Sequence, residues 1–314
     1  MNFSKFSKNK KSKLIEKNLF FDKSFIEKLN FNCDKKKKDW PKISIIMPSF
    51  NQGDFIEQSI LSILNQSYPN LQLIIIDGGS SDKTIEIIKK YEKFIYFWTS
   101  EKDNGQSDAL NKGFKMADGE IFGWMNSDDL YMPGSFYYLV EEFKKNPKKS
   151  LVFGDWLTIN DKNEIIDLNH AFDFDLNHFK YEGFHINSQS MLWKASLHNK
   201  FKGFDLDLYN TMDFQMILEF GIKEEKNFFR VPKVIGAFRR YTGQKTGSHI
   251  SPKIIEEHFL LANKFNYKDK YCLKGKFKRL LYRFRRAYWY IKRGGIKNLF
   301  LRLNNSWKYK TRNK

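Results

Sequence analysis

Two cysteines in 314 residues, Cys33 and Cys272, leave the chain without a disulfide framework or a thiolate zinc site, and a reducing, cytoplasmic setting is the expectation. No apolar run reaches the roughly 18 residues of a membrane-spanning helix. The basic N-terminus lacks the apolar stretch of roughly 7–15 residues and the small-residue cleavage site of a secretory leader. The glycine-rich G-x-G-x-x-G grip of dinucleotide enzymes is also missing, so a phosphate would have to be held another way. Acidic residues are scarce only at the ends: residues 1–39 carry 12 Lys/Arg against 5 Asp/Glu and residues 264–314 carry 18 against 1, while the middle holds 25 against 30. A protein that reads nucleic acid builds its basic groove into the folded domain; here the positive charge sits in appendages around a slightly acidic body.

What is present is a globular core. Hydrophobic residues make up 41% of the chain and aromatics 17%, which excludes a disordered or low-complexity protein. Three segments are expected: a basic extension over 1–39, a catalytic domain over 40–250 and a basic, amphipathic, helical tail over 251–314. Ile43 to Met47 and Leu71 to Ile76 are continuous apolar runs of strand length, suited to strands covered on both faces. Apolar residues at helical spacing follow the first, from Asp54 to Leu64, and Ser81 or Asp82 caps a second helix after the other. Phe94 to Trp98 reads as a third strand, Ser107 to Met116 as a helix and Glu120 to Met125 as a fourth strand. Beyond Asp129 the reading is a helix near Gly134 to Lys144, a hairpin around Leu151 to Ile166, a helix near Thr211 to Phe220 and a strand around Phe228 to Val231. This alternation predicts an α/β fold with a doubly wound, mainly parallel sheet, whose ligands bind beyond the carboxyl ends of the strands.

Polar residues gather at those ends: Pro48, Ser49, Phe50 and Asn51 after the first strand, Asp77 after the second, Ser100 to Asp103 after the third, and Asn126 to Asp129 after the fourth. Adjacent carboxylates such as Asp128 and Asp129 repel each other unless a cation or hydrogen-bond donors compensate them. Mg²⁺ or Mn²⁺ does so with one or two protein carboxylates, waters and substrate phosphate oxygens. The plainer alternative is a solvated turn. Asp77, followed by Gly78 and Gly79, either marks a close backbone approach to a ligand or forms a turn.

The segment PSFNQGDFIEQSILSILNQSYPNLQLIIIDGGSSDKT resembles the opening of family 2 glycosyltransferases, with a P-x-[YF]-N turn, an S-x-L-x-Q-x-Y helix end and a D-G-x-S-x-D-x-T strand end. SEKDNGQSDALNKGFKMADGEIFGWMNSDDLYMP continues it through N-x-G, A-x-G and D-x-D regions, and the similarity runs from about Lys42 to Thr246. The resemblance implies the GT-A fold, a nucleotide-diphosphate sugar donor, Mn²⁺ or Mg²⁺, and transfer with inversion, as in bacterial polysaccharide or lipopolysaccharide synthesis. Carried over by position, Pro48, Ser49, Phe50 and Asn51 lie along the nucleoside, and Asp77 accepts the base N–H, which favours a UDP-sugar. Asn111 and Asn126 join the donor site. Asp128 and Asp129 hold ribose, metal and diphosphate; with Asn126 at the first position of the D-x-D, the direct metal contact falls to Asp129. Asp213 is implied as the general base, with Glu219 and Asp205 as weaker candidates. Arg239, Arg240 and Lys245 face the diphosphate, and Tyr241 stands where the family usually has histidine. His185 and Gln189 match the acceptor side loosely.

In the tail, Leu280, Leu281, Phe284, Ala287, Tyr288 and Ile291 share one helical arc of about 120 degrees, with basic residues outside it. Either this helix lies on an anionic membrane surface, making the protein peripheral on the inner face of the cell membrane, or it packs on the catalytic domain. A nucleotidyltransferase, which usually needs a basic glycine-rich loop after its first strand, and a non-catalytic membrane- or nucleic-acid-binding relative are the rival readings.

Overall fold

The computed structural model describes residues 40–183, 186–245, 252–267, 272–289 and 291–292. Ile43–Ser49 forms β1, buried along its whole length, as an unbroken apolar run requires when both sheet faces are covered. There follow α1 (Ile56–Leu64), β2 (Leu71–Asp77), α2 (Thr84–Lys90), β3 (Phe97–Ser100), α3 (Gln106–Met116) and β4 (Ile121–Trp124). The strands lie side by side in parallel in the order β3-β2-β1-β4. Alternate β1 side chains serve opposite faces. Ile43, Ile45 and Met47 pack with Ile56, Ile60 and Ile63 of α1, whereas Ile46 packs with Leu110 and Phe114 of α3.

The second half completes one sheet with the first. It comprises β5 (Leu130–Tyr131), α4 (Ser135–Lys145), β6 (Leu151–Asn160), β7 (Ile165–Asn169), α5 (Leu176–Glu182), β8 (Met191–Lys194), α6 (Ala195–His198), α7 (Met212–Glu224), β9 (Phe228–Arg240) and α8 (Pro252–Lys264). The short strand β8 enters antiparallel between β4 and β6, and the order continues β8-β6-β9-β5, with β7 pairing β6. The doubly wound expectation thus holds for the first four strands, and the rest of the sheet is mixed.

Two boundaries differ from the sequence reading for a physical reason. The chain turns at Glu92–Phe94 and starts β3 only at Phe97, because Phe94 and Tyr96 point to solvent and supply no buried face. β9 runs to Arg240, nine residues past the expected Val231, because it pairs with β6 along nearly the full length of that strand. Helix α8, read from sequence as the start of the tail, is bound into the body. Its Glu257 accepts the Tyr209 and Asn210 N–H groups at 3.1 and 2.9 Å and the Thr211 hydroxyl at 2.9 Å, closing the entrance to α7. Residues 273–289 form a further helix, α9. Arg285 reaches Asp175 at 2.7 Å, Arg283 and Arg286 reach Glu182, and Tyr282 stacks on Tyr181, so α9 is seated on α5.

Gly236 sits where β9 crosses the Ser188–Ser190 turn, and a Cβ there would overlap the Gln189 carbonyl oxygen. Gly236→Ala is expected to destabilise the fold by about 1–3 kcal/mol, the usual cost of an overpacked interior, read from chemical denaturation midpoints.

Candidate active site

The chain leaves β1 toward β2 on one side and meets β4 on the other, so the switch point lies between β1 and β4, where open α/β sheets form a crevice. The loops at this edge are stitched together by side chains of short polar residues. Asn51, in the left-handed region at φ 50, donates its N–H to Ser80 Oγ and accepts from the Ser81 N–H. The Gln52 N–H donates to Thr84 Oγ1 and the Gly53 N–H to Asp82 Oδ2. Phe50 stands on the lip with its ring 59% exposed, while Pro48 and Ser49 remain inside β1.

Asp77 is fully buried. Its carboxylate accepts the Gly79 and Ser80 N–H groups and the hydroxyls of Ser80 and Ser100, so it organises the turn from β2 and ties it to β3. Three of those bonds fall on Oδ2 and one on Oδ1; a base N–H could add only to Oδ1. Gly79, at φ 84, permits the turn.

The two adjacent carboxylates have unlike surroundings. Asp129 is fully buried, with Oδ1 accepting the Arg239 N–H at 2.9 Å and Oδ2 facing the Asn126 amide at 3.4 Å. Asp128 keeps a little surface, and its Oδ2 accepts the Tyr241 hydroxyl at 3.0 Å. Burial pushes both carboxyls up, Asp129 further because the Asp128 charge lies beside it. Asp129, expected as the direct metal contact, has both carboxylate oxygens in bonds that anchor the turn, and Asp128 keeps the small exposed edge of the pair.

Arg239 departs from expectation in the same way. Its guanidinium does not face a diphosphate; it is wholly buried and donates to the Asp128 carbonyl at 2.8 Å, to Asn160 O and Asn163 Oδ1 at 3.2 and 2.6 Å, and to Gln58 Oε1 at 2.9 Å. Its neighbour Arg240 is exposed, as alternation along β9 demands. Asn111 is another inward residue. Both ends of its amide bond the Phe204 backbone at 2.8 Å, which fixes the loop before α7. Gln189, matched loosely to the acceptor side, is buried against β9, and its amide nitrogen has no partner among the described residues. His185 lies outside the described residues.

Asp213 occupies the first turn of α7, and burial raises its carboxyl to about 7 against the opposing pull of the Phe214 N–H and the Lys245 charge. Desolvation of the Lys245 ammonium lowers it to about 8, although the residue as a whole stays exposed, and the charges of Asp213 and Glu257 hold it up. A polar chain links this group to the carboxylate turn: Lys245 donates to Gln106 Oε1 at 3.1 Å, and Gln106 donates to Asn126 Oδ1 at 2.8 Å. The Asn126 oxygen also accepts the Trp124 indole N–H at 2.8 Å. Glu219 bonds Gln215, and Asp205 pairs with Lys264 at 2.8 Å; both are structural. Sequence reasoning missed Gln106, Gln52 and Gln58. Glutamine has no titration or metal chemistry to flag it, although Gln106 at the start of α3 follows the polar run after β3.

A parallel sheet with carboxylates at its switch point defines an α/β protein of the class that binds ligands beyond the carboxyl ends of its strands. Residues 44–210 match the model of Glycosyl transferase family 2, more than half of the chain, and the chain belongs to that family. An uncharacterized glycosyltransferase of Rickettsia typhi is 30% identical over 188 residues, 57% of this chain and 58% of the relative. The poly-beta-1,6-N-acetyl-D-glucosamine synthase of Staphylococcus epidermidis is 35% identical over 115 residues, 36% of this chain and 28% of that protein. The chain thus spans little more than half of the first relative and about a quarter of the second. Among solved structures, S. aureus TarS 1-349 in complex with UDP-GlcNAc superposes with a TM-score of 0.58 at 16% identity, covering 81% of this chain and 74% of that one. The mannosyltransferase PcManGT from Pyrobaculum calidifontis, in complex with GDP-Man and Mn2+, gives 0.52 at 14% identity over 91% and 86%. The fold is the GT-A fold of these enzymes.

Arg239→Met would strip one buried charge from four acceptors and from the carboxylate pair. An expected loss of about 3–5 kcal/mol follows, measurable by urea denaturation, and Arg239→Lys should recover only part of it because one ammonium cannot span the same acceptors.

Proposed function

We propose that the chain transfers a sugar from a nucleotide-diphosphate donor, with inversion, to a hydroxyl of a glycan or lipid-linked acceptor in cell-surface polysaccharide synthesis at the inner face of the membrane. One observation carries this reading: Asp213, a carboxyl poised near neutrality, feels the charge of Lys245, and Lys245 is hydrogen-bonded through Gln106 and Asn126 to the carboxylate turn at the switch point. Proton removal and leaving-group handling thereby share one crevice. The base expected is uracil and the sugar a hexose or N-acetylhexosamine, in keeping with the UDP-GlcNAc bound by TarS and the product named for the Staphylococcus epidermidis relative.

In this scheme Phe50 offers its exposed ring to the base and Asn51 borders the nucleoside. Asp213 takes the acceptor hydroxyl proton as the acceptor oxygen bonds to the anomeric carbon and the bond from that carbon to the diphosphate oxygen breaks on the opposite face. The leaving diphosphate departs with the electron pair, and Lys245 and Arg240 supply positive charge beside it. Among the described residues no cluster of three or more His, Cys, Asp or Glu side chains is placed to hold a metal ion. Asp128 would hold Mn²⁺ or Mg²⁺, and substrate and water would supply the remaining oxygen ligands that such hard cations take. Bound there, the cation would offset charge on the leaving diphosphate. Tyr241, in the position of a family histidine, hydrogen-bonds Asp128 and orients it.

Two measurements test the scheme. Calorimetry with UDP-sugars should show donor binding in Mn²⁺ that falls at least about tenfold in EDTA, and equal affinity in both removes the metal from the scheme. Transfer by the wild type should rise with pH through an apparent pKa near 7, since the Asp213 carboxyl is protonated and inactive as a base below it. Asp213→Asn should lower transfer about 100-fold or more, abolish that rise and leave donor affinity nearly unchanged.

A further inference from the structure

Helix α9 is amphipathic, and the way it is seated decides which face is left. The side that meets the body is aromatic and basic. Tyr282 packs on Tyr181 and His178, Trp289 lies 5.8 Å from Phe172, Lys278 bonds the Tyr181 hydroxyl at 3.1 Å, and Arg285 pairs with Asp175. These positions recur every three or four residues and mark one stripe of the helix. The opposite stripe holds Leu273, Phe277, Leu280, Leu281, Phe284 and Tyr288, each between 50% and 85% exposed. At about 100 degrees per residue they fill an arc of about 100 degrees, and Ile291 extends it. Helices of soluble domains bury their apolar stripe; here the polar stripe is the docked one.

Charge identifies the occupant. Lys276 and Arg283 border the apolar arc on one side and Lys274 and Lys292 on the other, all exposed. The sequence beyond, 293–314, adds seven Lys/Arg and no acidic residue. A second copy placed on the same face would bring like charges together, whereas anionic headgroups around a shallow apolar insertion match both features. No helix among the described residues is long and apolar enough to cross a membrane, so the contact would be with one leaflet.

We infer that α9 binds the surface of an anionic bilayer with its outward arc of leucine and phenylalanine in the acyl boundary and its flanking lysines among the headgroups, while the tyrosine and arginine stripe keeps it fastened to the catalytic body. The membrane contact therefore belongs to a helix rigidly joined to α5, rather than to a tether that swings free.

The full chain is mixed with vesicles of phosphatidylcholine alone and with vesicles that also contain phosphatidylglycerol, and sedimented at low salt. Wild type should sediment with the second only. Leu280→Gln with Phe284→Gln should abolish sedimentation. Lys274→Gln with Lys276→Gln and Lys292→Gln should weaken it about 100-fold, at about fivefold per lysine. Both variants should retain wild-type thermal stability and sugar-nucleotide hydrolysis, a readout that depends on the proposed transferase site and not on lipid. Failure of wild type to bind anionic vesicles overturns the inference, as does undiminished binding by the Leu280/Phe284 variant. Unfolding of that variant would show the arc to be part of the core, and wild-type dimers that the same substitutions dissociate without lipid would assign the face to a second copy; either result overturns it too.

Discussion

One buried guanidinium holds the candidate site together. Arg239 arrives at the end of the last long strand and donates to the β4–β5 turn, the β6–β7 hairpin and helix α1, while its own backbone N–H bonds Asp129. A charge of this kind is costly to desolvate and is stable only when its surroundings match it. Here two carboxylates and four oxygen acceptors do so. The crevice edge is a consequence: the turn that presents Asp128 cannot shift without breaking several charge-assisted bonds at once, and Phe55 covers the guanidinium at 4.8 Å.

The same economy of placement separates two roles within short motifs. Asp128 and Asp129 are adjacent, as are Arg239 and Arg240, and in each pair one residue is internal and the other faces the crevice or solvent. The inward members make the scaffold that the outward members need. Asp77 and Asn111 are further cases of residues that shape loops at the site by bonding backbone, not by reaching across it.

Much of the first half was legible in sequence because it is built from local rules. Continuous apolar runs in β1 and β2 and helical spacing in α1 and α3 report burial on both sides of a parallel sheet, and the polar strand ends followed directly. The second half was not. β8 has only four residues and takes its place through pairing with β4 and β6, which lie far from it in sequence. Direction of side chains was equally hidden: which way Arg239 and Asn111 point depends on strand parity and on partners about 75 to 180 residues away. For α9 the wheel showed an amphipathic helix and left open which stripe would meet the body.

The place of β9 in the sheet has a bearing on synthesis. Residues 40–131 contain β1 to β4 and α1 to α3, yet among the described residues β5 pairs only with β9, and Asp129 meets Arg239 across 110 positions of sequence. A chain growing from its N-terminus can gather the β3-β2-β1-β4 unit from near neighbours, but its carboxylate turn stays unbraced until the final strand emerges. The order of synthesis thus withholds a finished ligand crevice from incomplete chains, and β9, the last strand of the sheet to appear, is the one that converts a nucleotide-type sheet into a site.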